Sequence, residues 1–201
     1  MIDVLQVVTI VVVMVLAVAW YLSYSAARLD RLHAKAEGAM SALDAQLVRR
    51  AEATLELATS GALDPASALL LADAATESLE RQTEHPVCDD PLDGQHFAGR
   101  ERVESDVTGA LRAALTPEVV AVVRADRGSA GEEALARVEA AALRVQLARR
   151  FHNDAVREAR RVRAKRLVRA FRLAGHAGLP EPVDFDDGLP AGPVAARPGA
   201  A

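Results

Sequence analysis

The sequence predicts an all-α protein in which an N-terminal transmembrane helix continues into an antiparallel up-down bundle of about four helices. Three observations carry that prediction. Residues 4–27 hold no charge, no Gly and no Pro, and run without a breaker into a helical pattern from Arg28. Beyond them, apolar and small residues recur at the three-and-four spacing of amphipathic helices. No sustained apolar/polar alternation bounded by Asn-Gly or Asp-Gly turns occurs, so strands have no signal.

The apolar run is roughly 36 Å long as a helix, enough to cross a hydrocarbon core of about 30 Å with some tilt. Trp20, Tyr21 and Tyr24 at its end are the only Trp and Tyr of the chain, as expected of an interfacial aromatic belt. Only Met1, Ile2 and Asp3 precede the run, whereas Arg28, Arg31 and Lys35 follow it. The positive-inside rule therefore expects a cell-membrane protein crossing once, with its N-terminus outside and the remainder cytoplasmic. A cleavable signal with Ala17-Val18-Ala19 as its site is the rival reading, but it lacks a positively charged start and has too long an apolar core.

The division expected is residues 1–27 as N-terminus and span, 28–175 as one helical bundle, and 176–201 as a largely disordered Pro/Gly/Ala-rich tail, with the disorder placed from about Gly188 onward. Hydrophobic residues make up 51% of the 201 residues and aromatics 3%, so Ala, Leu and Val must build the core, and small side chains let helices pack closely. The first helix is expected to reach about Ser60, with Leu32, Ala36, Ala39, Leu43, Leu47, Thr54 and Leu57 on its apolar stripe. Ser60-Gly61 supplies its stop, and Asp64-Pro65 supplies a cap and first residue for a second helix to about Gln82. Residues 83–95 carry Pro86, Pro91 and Gly94 and read as a loop.

A third helix uses Phe97, Val103, Val107, Leu111 and Ala114, and Thr116-Pro117 begins a short piece containing Val119, Val120, Val122 and Val123. After a turn at residues 127–131, a last helix is expected from Glu132 to about Ala174, acidic in its first turn and arginine-rich in its last, as the helix dipole favours. At roughly 65 Å against roughly 50 Å for the extramembrane part of the first helix, it is expected to overhang at the lipid surface.

The net charge of −4 conceals a segregation: residues 64–126 are strongly acidic, while 132–172 hold five acidic against twelve basic residues. The basic end makes Arg160, Arg161, Arg163, Lys165, Arg166, Arg169 and Arg172 candidates for contact with anionic lipid headgroups, at about 1 kcal/mol per charge near the surface. The plain alternative is a solvated helix end pairing with the acidic helices. A nucleic-acid partner is not expected, since the helix is tethered to a membrane and Phe151 and Phe171 are its only aromatics.

Catalytic signatures are lacking: there is no Gly-rich phosphate loop, nucleophile elbow or carboxylate pair, so neither an enzyme nor a cofactor is expected. His85, Cys88, Asp89, Asp90, Asp93 and His96 include residue types that ligate zinc, but their spacing fits no known finger and Pro86 and Pro91 interrupt it. A polar loop with an incidental thiol is the reading preferred, and no metal site is assigned. Cys88 is the sole cysteine, which excludes an intramolecular disulfide.

Two polar stretches stand out instead. Asp44, Gln46, Arg49 and Arg50 lie on or beside the apolar stripe of the first helix, and Arg149, Arg150, His152 and Asn153 are expected at comparable height on the last. Buried polar groups require partners, so Asp44, Gln46, Arg50, Arg149 and Asn153 are predicted to form an inter-helix network that fixes register, with Asp44 pairing to Arg149 or Asn153.

At these stretches, Ala36-Glu37-Gly38-Ala39-Met40-Ser41-Ala42-Leu43-Asp44-Ala45-Gln46-Leu47-Val48-Arg49-Arg50 and Ala148-Arg149-Arg150-Phe151-His152-Asn153-Asp154-Ala155-Val156, the chain resembles the LemA family of bacterial membrane proteins. It departs from the family pattern in three places. Ala53-Thr54-Leu55-Glu56-Leu57 replaces a proline-containing turn, His152 replaces a Tyr, and a Phe-Pro after the second motif is absent. The resemblance implies an N-out topology and an antiparallel bundle, and it implies no enzyme activity.

The function expected is therefore a non-enzymatic scaffold or adaptor at the cytoplasmic membrane face, with an unknown protein partner; Ala-rich faces leave homo-oligomerisation open. The alternatives are an accessory subunit of a membrane protease or hydrolase, or a metal-dependent enzyme using the Cys88 loop.

Overall fold

The computed structural model describes residues 4–84, 97, 99–165 and 178–188. Among them the fold is all-α, with α1 Val4–Thr59, α2 Pro65–Glu84, α3 Arg100–Ala114, α4 Pro117–Ala125 and α5 Ala130–Arg163. Helix α1 is one uninterrupted element of 56 residues. Its N-terminal part is apolar and long enough to cross a membrane, and none of that window is buried. Trp20, Tyr21 and Tyr24 are exposed at its end.

Helix α5 runs antiparallel to α1 and packs along it, α2 folds back on α1, and α3 folds back on α2. The turns follow the local chemistry. Gly61 adopts φ +78° after α1, a left-handed conformation that glycine enters without steric cost. Asp64 accepts hydrogen bonds from the amides of Ala66 and Ser67 at 3.0 and 3.1 Å, capping α2 ahead of Pro65. Thr116 caps α4 with Pro117 in its first turn, and Ser129 accepts from Glu132 N at 3.1 Å to start α5.

The core forms three levels. Farthest from the apolar end, Leu57, Leu71, Val107, Leu111, Leu135 and Val138 join α1, α2, α3 and α5. In the middle, Met40, Leu43, Leu47 and Val145 meet Phe97, Val183 and Phe185. Nearest the apolar segment, Leu29 and Leu32 of α1 meet Ala159 and Val162 of α5 among the described residues. Buried alanines along the seam, among them Ala36, Ala51, Ala141, Ala155 and Ala159, remove the side-chain bulk that would hold the helix axes apart.

Two expectations are corrected. Helix α5 ends at Arg163, where Ala164 N donates to Arg160 O and Lys165 N to Val162 O in a tightened last turn; residues 166–174 of the expected helix lie outside the described residues. Val162 is level with Leu29. With 34 residues α5 is roughly 51 Å long, matching the part of α1 beyond residue 27, and the described helix has no overhang.

Second, residues 178–188, assigned to the tail but lying ahead of the part read as disordered, pack on the bundle. They form an extended strap with Pro180, Val183 and Phe185 buried. Val183 and Phe185 alternate with exposed Asp184 and Asp186, the two-residue period of an extended chain with one buried edge.

Gly131 tests the closeness of the α1–α2 turn to α5, because a Cβ added there would lie 2.4 Å from Ala62 Cβ. Gly131→Ala is expected to destabilise the bundle by about 1–3 kcal/mol, measured as a lower denaturant midpoint of the helical circular-dichroism signal.

Candidate functional site

Four ionisable side chains converge at the middle level. Arg50 and Arg100 are 2% exposed and Glu104 is fully buried, with Asp44 half-buried beside them. Arg50 comes from the apolar stripe of α1. Arg100 and Glu104, one turn apart, come from the face of α3 that also carries Val103, Val107 and Leu111.

Arg50 Nη2 donates to Glu104 Oε2 at 2.8 Å and to the Glu104 carbonyl at 3.0 Å. Glu104 Oε1 accepts from Ser78 Oγ of α2 at 3.0 Å and from Arg100 Nε at 3.4 Å. Arg100 Nη1 pairs with Asp44. Two cations and two anions thus neutralise one another, which is the condition under which charge survives in a low-dielectric interior.

The cluster extends into the strap through both hydrogen bonds and rings. Arg50 Nη1 donates to Thr108 Oγ1 at 3.0 Å, and that hydroxyl lies 2.6 Å from the Asp186 carbonyl, to which it donates. Phe97 and Phe185 stack with centroids 6.1 Å apart. The guanidinium of Arg100 lies 5.7 Å from the Phe97 centroid, and those of Arg50 and Arg149 lie 5.9 and 5.5 Å from that of Phe185. Among the described residues Arg50 Nε and Arg100 Nη2 find no oxygen partner; the electron-rich ring faces supply part of what an acceptor would, since desolvated cation–π contacts are worth about 2 kcal/mol.

The strap itself lies between α3 and α5 and is held from both sides. Asn153 uses its whole amide on one residue: Nδ2 donates to Val183 O and Oδ1 accepts from Val183 N, both at 2.9 Å. Arg149 forms a two-pronged pair with Asp187 at 2.8 and 3.0 Å, and Gln146 donates to Asp187 O at 2.6 Å. From α3, Glu101 and Ser105 accept from the amides of Asp184 and Asp186 at 3.0 and 3.1 Å, and Arg112 grips the Asp186 carboxylate with both terminal nitrogens. That pairing holds the Asp186 carboxyl below the usual carboxylate range.

Of the residues predicted to form one network, Asp44 and Arg50 join the buried cluster, and the pairing differs from the expectation. Asp44 bonds Arg100, not Arg149 or Asn153, and the latter two hold the strap. Gln46 is half-buried and its Oε1 has no partner among the described residues. Arg100, Glu104, Ser78, Thr108 and Phe185 were missed. Their signal was the i, i+4, i+8 recurrence of Arg100, Glu104 and Thr108 on the apolar side of α3.

Of the lipid-contact candidates, Arg160 Nε donates to Pro180 O at 2.7 Å and Arg163 to Gly178 O. Arg161 and Lys165 are exposed. Arg166, Arg169 and Arg172 lie outside the described residues, as do His85, Cys88, Asp89, Asp90, Asp93 and His96. Among the described residues no group of His, Cys, Asp or Glu could hold a metal ion. Comparison of the chain with family models, curated proteins and solved structures gives no match.

Two expected outcomes follow from the buried charges. Glu104→Ala leaves two guanidiniums without their shared anion and should cost about 3–5 kcal/mol in unfolding free energy, measured by denaturant titration.

The second concerns pH. His152 is 3% exposed, with Nε2 3.3 Å from the Glu181 carbonyl; burial lowers its pKa. His33 is also lowered, by burial first and by the charge of Arg163 second. Because the unfolded chain takes up protons first, stability is fully present above an unfolded value of about 6.5 and falls as pH drops below it. The melting temperature is expected to fall between pH 7.5 and 5.5, and His152→Gln should flatten that dependence.

Proposed function

We propose that this chain is a non-enzymatic scaffold or adaptor of the LemA-like kind. In this reading it is anchored once in the cell membrane, with its N-terminus outside and its bundle in the cytoplasm. The observation that carries the reading is the continuity of α1. Its exposed apolar segment has no packing partner among the described residues and passes without a break into a helix whose next residues build the bundle core. A helix of that kind couples the position of the bundle rigidly to the bilayer.

The charge distribution supports the orientation, since Arg28, Arg31 and Lys35 follow the apolar segment closely and exposed Arg161 and Lys165 return to the same height on α5. These groups suit anionic headgroups. Arg160 and Arg163 spend hydrogen bonds on the strap and contribute less to lipid contact than their sequence position implies.

The adaptor part of the reading is supported by an exposed apolar stripe, Leu143, Leu147 and Phe151, at four-residue spacing on α5. Phe151 retains 67% of its surface. Contiguous apolar surface of this sort marks interaction sites.

Topology is tested with the native thiol. Cys88 should resist a membrane-impermeant maleimide in intact cells and react after lysis, while Asp3→Cys in a Cys88→Ser background should react in intact cells; the reverse pattern rejects the proposed orientation. Separately, Leu147→Ala with Phe151→Ala is expected to leave the melting temperature within about 2 °C, as exposed positions do, and to deplete a stoichiometric partner recovered from native membranes in mild detergent.

A further inference from the structure

The groove between α3 and α5 has the properties of a peptide-binding site, and the strap sits in it as a peptide ligand would. Its hydrogen bonds come from α3 and α5, its buried side chains also meet Met40, Leu43, Leu47 and Arg50 of α1, and it has no regular secondary structure of its own. The Asn153 amide reads one residue's N–H and C=O together, a recognition that any extended peptide satisfies regardless of side chain. Gln146, Thr108 and Ser105 likewise contact backbone atoms, of Asp187 and Asp186.

Side chains add to this reading: Val183 is buried in the middle core level and Asp184 pairs with Arg149. Phe185 enters an apolar site beneath the guanidiniums of Arg50 and Arg149, Asp186 meets Arg112, and Asp187 meets Arg149. The groove therefore asks for an aromatic residue followed by carboxylates in an extended chain.

The strap's outer edge, with Glu181, Pro182 and Asp184, is exposed. Its release uncovers the middle core level, to which Val183 and Phe185 belong. A segment of like chemistry can replace it, ring for ring and carboxylate for carboxylate.

We infer that this groove is a binding site for extended acidic peptides with a central aromatic residue, presented by a partner protein, and that residues 178–188 occupy it in cis as a competing pseudo-ligand. The inference deepens the adaptor reading and rests on it for the existence of a partner, whereas the groove's binding capacity can be measured without one.

The probe is a fluorescein-labelled synthetic peptide of residues 178–188, titrated by anisotropy against the full chain in detergent micelles. Wild type, with its groove filled, is expected to bind weakly. Phe185→Ala, which loosens the cis strap, should bind at least tenfold more tightly, and adding Asn153→Ala should return binding to the wild-type level or below. Asp186→Ala removes an exposed ion pair and leaves the core untouched; it should bind severalfold more tightly than wild type, and carries the test should Phe185→Ala fail to fold. A peptide with Ala in place of Phe185 should not compete, and raising salt to 0.5 M should weaken binding by screening the exposed Arg112 pair.

Absence of saturable binding to the loosened variants, with helical content intact, overturns the inference. So does binding that is indifferent to Asn153→Ala. A wild-type dimer by mass that becomes monomeric in Phe185→Ala would assign the groove to the strap of a second copy and overturn the foreign partner. Failure to recover any membrane partner that depends on the α5 stripe, with peptide binding retained, would count against the adaptor reading alone.

Discussion

The neutral cluster of Asp44, Arg50, Arg100 and Glu104 is the constraint to which the rest of the bundle is fitted. Taking an ion out of water costs several kcal/mol even after relaxation, and good geometry with further hydrogen bonds is needed to recover it. Arg50 meets that requirement only if α3 stands where Glu104 and Thr108 reach it. Arg100 meets it only if α1 presents Asp44, and Glu104 only if α2 presents Ser78. One polar centre thus fixes the register of three helices whose alanine-rich surfaces would otherwise slide with little change in packing.

The cluster also explains why the C-terminal strap has a defined seat. Phe185 covers the Arg50 and Arg149 guanidiniums, and the Thr108 hydroxyl passes the Arg50 hydrogen-bond chain on to the strap backbone. Without the strap, a buried cation and the Phe97 ring would face solvent at the middle of the bundle. A core built with so few aromatics concentrates two of its four phenylalanines at this point, where ring faces are useful both as apolar cover and as weak acceptors.

Much of this was legible in the chain. The long apolar first helix, the break at Gly61, the capped starts at Asp64 and Thr116 and the turn before α5 each follow from local backbone chemistry that tertiary packing does not overrule. Asp44 and Arg50 were legible as a buried network because charges on an apolar stripe need partners. Their partners were not, because pairing across helices depends on which helices neighbour one another. Helical periodicity does not reveal that. The packing of the strap was hidden by composition: Gly178, Pro180, Pro182 and the run of acids gave no element before the disorder expected from about Gly188, although Val183 and Phe185 carry the alternation of a chain lying on a surface. The end of α5 was misplaced because arginines favour helix locally, so composition gave no stop at Arg163.

Together these features describe a rigid post: an exposed apolar helix, a bundle pinned by a buried polar centre, and a groove on its side filled by the chain's own C-terminal segment. The most direct test is amide hydrogen exchange of the full chain in detergent, read at residues 178–188 in wild type and in Glu104→Gln. The account predicts slow exchange at Val183 and Asp186 in wild type and its selective loss in Glu104→Gln while Leu57 and Val138 stay protected. Strap amides exchanging in wild type at the rate of an unstructured peptide would contradict it.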